Sequence, residues 1–116
     1  MNKYSEAITD YSTAIQILGN TNPKLYHNRG LAYAYDGDDL KAIQDFTVAI
    51  GLDPSNLDSY YNRGVAYTNL REYEKAIADL TKVVQSSKDP LMVKYAKDTI
   101  TGILNATANY ENNSTY

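Results

Sequence analysis

Residues 23–56, PKLYHNRGLAYAYDGDDLKAIQDFTVAIGLDPSN, lie over residues 57–90, LDSYYNRGVAYTNLREYEKAIADLTKVVQSSKDP, and agree at eleven positions, where chance gives about two. The shared residues are Tyr26/Tyr60, Asn28/Asn62, Arg29/Arg63, Gly30/Gly64, Ala32/Ala66, Tyr33/Tyr67, Lys41/Lys75, Ala42/Ala76, Ile43/Ile77, Asp45/Asp79 and Thr47/Thr81. The second copy starts directly where the first ends, so one copy is one period. At an offset of 35, Ala7, Ile8, Asp10, Ala14 and Ile15 match Ala42, Ile43, Asp45, Ala49 and Ile50, with Tyr11 opposite Phe46. One extra residue in the connection between Gly19 and Asn22 accounts for the shift.

Each copy reads as two helices. Tyr26, Arg29, Gly30 and Tyr33 fall at i, i+3, i+4 and i+7, the spacing of one helical face, and Ile43, Phe46, Ala49 and Ile50 make a second stripe. Asn22 before Pro23 reads as an N-cap and first-turn proline, Gly37 as a stop, and Leu52-Asp53-Pro54 as the end of the second helix. The next copy repeats this with Tyr60, Gly64 and Tyr67, then Ile77, Leu80, Val83 and Val84. Gly30 and Gly64 are expected to let a neighbouring backbone approach, Ala42 and Ala76 to do the same on the second helix, and Tyr33, Tyr67 and Phe46 to fill the wedge. A two-helix hairpin cannot cover its own apolar faces, so the copies must stack.

These residues resemble the tetratricopeptide repeat (TPR) family, whose pattern runs aromatic, small, aromatic, then Ala, aromatic, Ala and Pro. Tyr26, Gly30, Tyr33, Ala42, Phe46, Ala49 and Pro54 meet it in one copy, and Tyr60, Gly64, Tyr67 and Ala76 in the other, with Leu80 and Val83 as conservative substitutes. Arg29 and Arg63 depart from the usual Leu, Asp39 sits where Tyr4 and Tyr73 give an aromatic, and Pro90 comes two residues late. The resemblance implies an all-α, right-handed α-α superhelix. Its parts are a half-repeat and connection over 1–22, full repeats over 23–56 and 57–90, a capping helix over 91–106 and a flexible tail over 107–116. The capping helix places Val93, Ala96, Ile100, Ile103 and Leu104 on its packing side.

The rest of the sequence bounds the function. The chain has 116 residues, 43% hydrophobic and 22% charged, one soluble domain's worth. A net charge of −3 argues against a nucleic-acid surface, including the RNA binding of the related pentatricopeptide family. No cysteine is present, which removes thiol chemistry and Cys-ligated zinc, and a single histidine, His27, removes a multi-histidine metal site. No apolar run reaches the roughly 18 residues of a membrane span, and the start, Met1-Asn2-Lys3-Tyr4-Ser5-Glu6, lacks a secretory signal. The expected setting is cytoplasmic, with neither membrane nor nucleic acid as partner. Glycosylation triplets at Asn105, Asn112 and Asn113 are expected by chance in an Asn- and Thr-rich end.

No catalytic constellation, cofactor motif or metal motif is found, so the chain is not expected to be an enzyme. His27 has no Ser or Asp partner motif and reads as a surface or groove contact, while Asp36-Gly37-Asp38-Asp39 reads as a turn with an N-cap and not a calcium loop. Arg29 with Asp45 and Arg63 with Asp79 recur at a separation of sixteen, which predicts a structural ion pair in each repeat, whereas Asp10 has no such partner in its own half-repeat.

The resemblance further implies a concave groove lined by the first helices and holding a peptide or partner helix. Its residues would be Lys24, His27, Asn28, Leu31 and Tyr35 from one repeat and Asp58, Tyr61, Asn62, Val65 and Asn69 from the next. Asn28 and Asn62 carry both donors and acceptors suited to a peptide main chain, and Tyr35 and Tyr61 add flat contact area. Asn28 matches the middle-repeat asparagine of the family's clamp for acidic C-terminal tails, but the next repeat offers Asp58 and Asn62 in place of two cations. The alternative is self-assembly or membership of a longer scaffold, with a homodimer through residues 3–18, where Ala7, Ile8, Tyr11, Ala14, Ile15 and Leu18 lack a covering helix.

Overall fold

Asparagine and aspartate side chains set where most of the helices begin. The computed structural model describes residues 2–114, with side chains through residue 109. Helix α1 spans Lys3–Leu18, α2 Pro23–Tyr35, α3 Asp39–Leu52, α4 Leu57–Asn69, α5 Tyr73–Ser86 and α6 Pro90–Ser114, with no strand among the described residues. The side chains of Asn2, Asn22, Asp38 and Asn56 accept hydrogen bonds from the first-turn amides of Ser5, Lys24, Lys41 and Ser59, satisfying donors the helix itself leaves open. Asp89 does the same for Leu91 in front of α6. After α2 and α4 the chain turns through a left-handed residue, Gly37 at φ +86° and Arg71 at φ +61°. The amides of Asp38 and Glu72 reach back to the carbonyls of Tyr33 and Tyr67, each at 2.9 Å, the bond that closes a helix end of this kind.

Each helix packs on the next, with added contacts between α2 and α4 and between α4 and α6, whereas α1 touches α2 alone. The result is an elongated stack of 56 × 34 × 21 Å. Its interior is a series of small cores, as expected of a repeat array. Ala32, Ala42, Phe46 and Ala49 are buried in one layer, and Ala76, Leu80, Val83, Ala96 and Ile103 form the next. No residue of α1 is fully buried.

The glycines serve a different neighbour from the one expected. A Cβ on Gly30 would lie 2.8 Å from the Phe46 ring, and one on Gly64 would lie 2.9 Å from Leu80 Cγ. The nearest atoms belong to a side chain of the paired helix, and at Gly64 its backbone is close as well, the Ala76 carbonyl oxygen at 3.4 Å, because α2·α3 and α4·α5 are the tightest pairs and each must seat one large residue at the crossing.

Both ion pairs are formed. Arg29 Nε and Nη2 donate to the two carboxylate oxygens of Asp45 at 2.7 Å each, and Arg63 does the same to Asp79. Each guanidinium also donates through Nη1 to a hydroxyl of the preceding helix, Ser12 or Thr47, at 3.1 Å. It lies 5.6–5.9 Å from the ring centres of two tyrosines, Tyr26 and Tyr33 or Tyr60 and Tyr67. One arginine therefore joins three helices.

The last helix corrects two expectations. It begins at Pro90 and runs to Ser114, so residues 107–114 continue the helix in which a tail was expected. No proline or glycine follows Gly102 to stop it, and the Thr107 hydroxyl donates to the carbonyls of Ile103 and Leu104 within the helix. Leu104 is 54% exposed rather than packed. The packing stripe is Met92, Ala96, Ile100 and Ile103, and Leu104 lies about 100° of helical rotation past Ile103. Thr115 and Tyr116 lie outside the described residues, as do the side chains of the triplets at Asn112 and Asn113.

Candidate functional site along the α2–α4 seam

Lys24, Asn28, Leu31 and Tyr35 follow i, i+4, i+7 and i+11 on α2, and Asp58, Asn62, Val65 and Asn69 repeat that spacing on α4. Such residues share one helical face, and α2 and α4 are in contact. Two cavities lie along this seam. One, of about 630 Å3, is lined by Lys24, His27, Asn28 and Asp58 together with the α3–α4 and α5–α6 connections and Met92. The other, of about 180 Å3, is lined by Leu31, Ala34, Tyr35, Asp39, Asn62, Val65, Ala66 and Asn69. Nine of the ten expected groove residues line these two spaces.

Tyr61 is the exception. It packs against the core cluster shared by α5 and α6. Burial pushes its hydroxyl pKa up, helped by the neighbouring Tyr95. Tyr61 stays half-buried there and lines neither of these two cavities.

The larger cavity is ringed by charged side chains close to charge balance. Lys24 and Lys88 oppose Asp53, Asp58 and Asp89 around it, but two of these carboxylates already have partners. Asp53 accepts from the amide and hydroxyl of Ser55, and Asp89 accepts from the Leu91 amide. These donors are neutral, so both carboxylates keep their charge, and the two lysines face three aspartates. Lys88, Asp89 and Met92 were not among the expected residues because the family positions lie on the first helices, whereas these belong to a connection and to the start of α6.

His27 links the two walls. Its Nδ1 lies 2.7 Å from Ser59 Oγ across the α2–α4 seam, and its ring sits 5.6 Å from that of Phe46. Ser59 is fully buried, so this bond is shielded from water. Burial lowers the His27 pKa, partly opposed by the Asp58 carboxylate. The folded protein thus binds a proton at this ring less readily than the unfolded chain, whose imidazole titrates near the ordinary 6.5. Its contribution is complete above pH 6.5 and is lost as pH falls through the lowered folded value. Denaturation from pH 7.5 to 5 is expected to show a shallower loss of stability in His27→Gln than in the parent. Equal slopes would show that this ring carries no proton linkage.

Relationships to known proteins agree with this geometry. Family models of the tetratricopeptide repeat match residues 23–56 and 57–87, and a TPR repeat model matches residues 1–37. No curated protein sequence is significantly similar to the chain. Among solved structures, the first TPR domain of the human RPAP3 protein is 30% identical, with a TM-score of 0.82 over 95% of this chain and 84% of that one. The first TPR of Spaghetti (RPAP3), bound to the HSP90 peptide SRMEEVD, is 29% identical, with a TM-score of 0.83 over 91% of this chain and 81% of that one. The second TPR domain of human RPAP3, in complex with the HSP70 peptide SGPTIEEVD, is 30% identical, with a TM-score of 0.77 over 87% of this chain and 81% of that one. With the repeat, the helical stack and these likenesses in agreement, the chain belongs to the tetratricopeptide repeat family.

Proposed function

We propose that the chain is a non-catalytic protein-interaction module that takes an extended peptide along the α2–α4 seam. The carrying observation is the alignment of two cavities on one face of α2 and α4, with Asn28 in the first and Asn62 in the second. The peptide-bound solved relatives support the same reading. From Lys24 to Tyr35 the seam is roughly 16 Å long at 1.5 Å per helical residue, room for about five extended residues. An asparagine amide satisfies a peptide N–H and C=O whatever the side chains, so the pair reads main chain. The small apolar cavity beside Leu31, Ala34 and Val65 adds room for an aliphatic side chain. With Asp58 beside the larger cavity, recognition is not expected to depend on an acidic C-terminus.

The experiment is a peptide-array screen on the protein, followed by Asn28→Ala with Asn62→Ala against the peptide selected. Loss of two to four hydrogen bonds is expected to weaken binding roughly tenfold or more. Unchanged affinity would move the site elsewhere.

A second reading is favoured by one feature of α1. Ile17 and Leu18 are 75% and 68% exposed, and no residue of the helix is fully buried. Self-assembly through residues 3–18 is expected to raise the mass seen by light scattering as concentration rises, and a constant monomer mass would remove it.

A further inference from the structure

Asp39 stands where Tyr4 and Tyr73 give an aromatic, and this change opens onto the smaller cavity. Tyr4 of α1 stacks on Tyr35 of α2, with ring centres 5.7 Å apart. One period on, the same two positions are Asp39 of α3 and Asn69 of α4, at offsets of 35 and 34. Both line the cavity of about 180 Å3. Two short polar side chains thus border this space, where two stacked rings stand one repeat earlier.

Leu31, Ala34, Val65 and Ala66 supply the apolar lining of the cavity, and no lysine or arginine lines it. The Asp39 carboxylate is half-buried and forms no ion pair among the described residues. Asp38, not Asp39, caps α3 by accepting from the Lys41 amide. The Lys41 ammonium lies over the Tyr33 ring, 5.6 Å from its centre, so the lysine nearest to Asp39 in sequence is engaged elsewhere.

We infer that this cavity takes the side chain of a lysine or arginine of the bound peptide, with its aliphatic stem against Leu31, Ala34 and Val65 and its cationic head on Asp39. The inference rests on the peptide-groove reading above and names the residue class that the small cavity selects. Charge complementarity picks the occupant. A side chain with no charge would cover the Asp39 carboxylate and strip its water with no partner in exchange. A glutamate or aspartate would add repulsion between like charges. A cation on a methylene stem replaces the lost water by a charge-assisted hydrogen bond and lays its stem along the apolar wall. Asn69 and Tyr35, on the same cavity, offer oxygen acceptors for the remaining N–H groups of the head.

The probes are pentapeptide libraries, acetylated and amidated at their ends, with one position at a time fixed as lysine, arginine, norleucine or glutamate and titrated into the full chain. Norleucine keeps the lysine stem without the charge. At one position a cation is expected to bind roughly tenfold more tightly than norleucine, with glutamate weakest, and the better of lysine and arginine identifies the head group. Asp39→Asn is expected to keep the helical circular dichroism and to abolish that preference. Asp10→Asn, the same loss of charge on an exposed residue of α1, is expected to leave it unchanged. Methyl shifts in NMR spectra are expected at Leu31 and Val65 when the selected peptide is added. Norleucine equal to or better than both cations, or a cation preference that survives Asp39→Asn, would overturn the inference. The groove reading would stand in either case if binding were still weakened by Asn28→Ala with Asn62→Ala. Libraries that do not bind the chain at all would overturn both.

Discussion

Phe46→Ala is expected to destabilise the protein by about 3–5 kcal/mol, the range for emptying a fully enclosed aromatic site. Phe46 has no accessible surface, and its ring lies directly over Gly30. The wall opposite the ring is backbone of α2, which cannot collapse inward without shifting a whole helix. A companion substitution separates this explanation from a general loss of hydrophobicity. In the parent, Gly30→Ala puts a Cβ 2.8 Å from the Phe46 ring. The overpacking, about 1–3 kcal/mol, exceeds the gain of up to about 1 kcal/mol that alanine brings to a helix interior. In the Phe46→Ala background the clash is gone, and the same Gly30→Ala change should stabilise. Urea denaturation of the four proteins gives the cycle. A stabilising Gly30→Ala in the parent would refute the close packing of this pair.

The second large effect is at the buried ion pairs. Arg63→Leu leaves Asp79 nearly buried with no cation, a change expected to lower stability by about 3 kcal/mol or more. It also removes the bond to Thr47 and the contacts with Tyr60 and Tyr67, so α3, α4 and α5 lose a common tie. Adding Asp79→Leu should restore most of the loss, because a matched apolar pair carries no desolvation penalty. Thermal melts of the single and double variants decide the matter. A double variant no more stable than Arg63→Leu would mean that packing, and not the stranded carboxylate, dominates. High salt should leave the parent pair nearly unaffected, since screening acts weakly on charges held away from solvent.

Much of this architecture was legible in residue spacing. The match of 23–56 with 57–90 located the helix pairs, the caps at Asn22 and within Asp36-Gly37-Asp38-Asp39 marked two helix starts, and the recurrence of Arg and Asp sixteen apart predicted both ion pairs. Each of these is a local pattern or one that occurs twice, and repetition distinguishes a structural requirement from chance. The groove positions came from the family resemblance, and the shared spacing of Lys24 to Tyr35 and of Asp58 to Asn69 sets each series on one helical face.

The features that occur once were decided by tertiary structure. One period on from His27 stands Tyr61, and one period back from Ser59 stands Leu25, so the His27–Ser59 bond has no second copy to announce it. Tyr61 turns to the α5–α6 core because α6 passes beside it. The rim residues Lys88 and Met92 enter the larger cavity because the start of α6 lies against it. The amino-acid sequence by itself determined the helices, their pairing and the charges that tie them, since these follow from period and short-range sterics. Which side chain fills each glycine's space, and which face of each helix meets a cavity, was decided only when six helices of different neighbourhoods packed together and close packing left one arrangement for each.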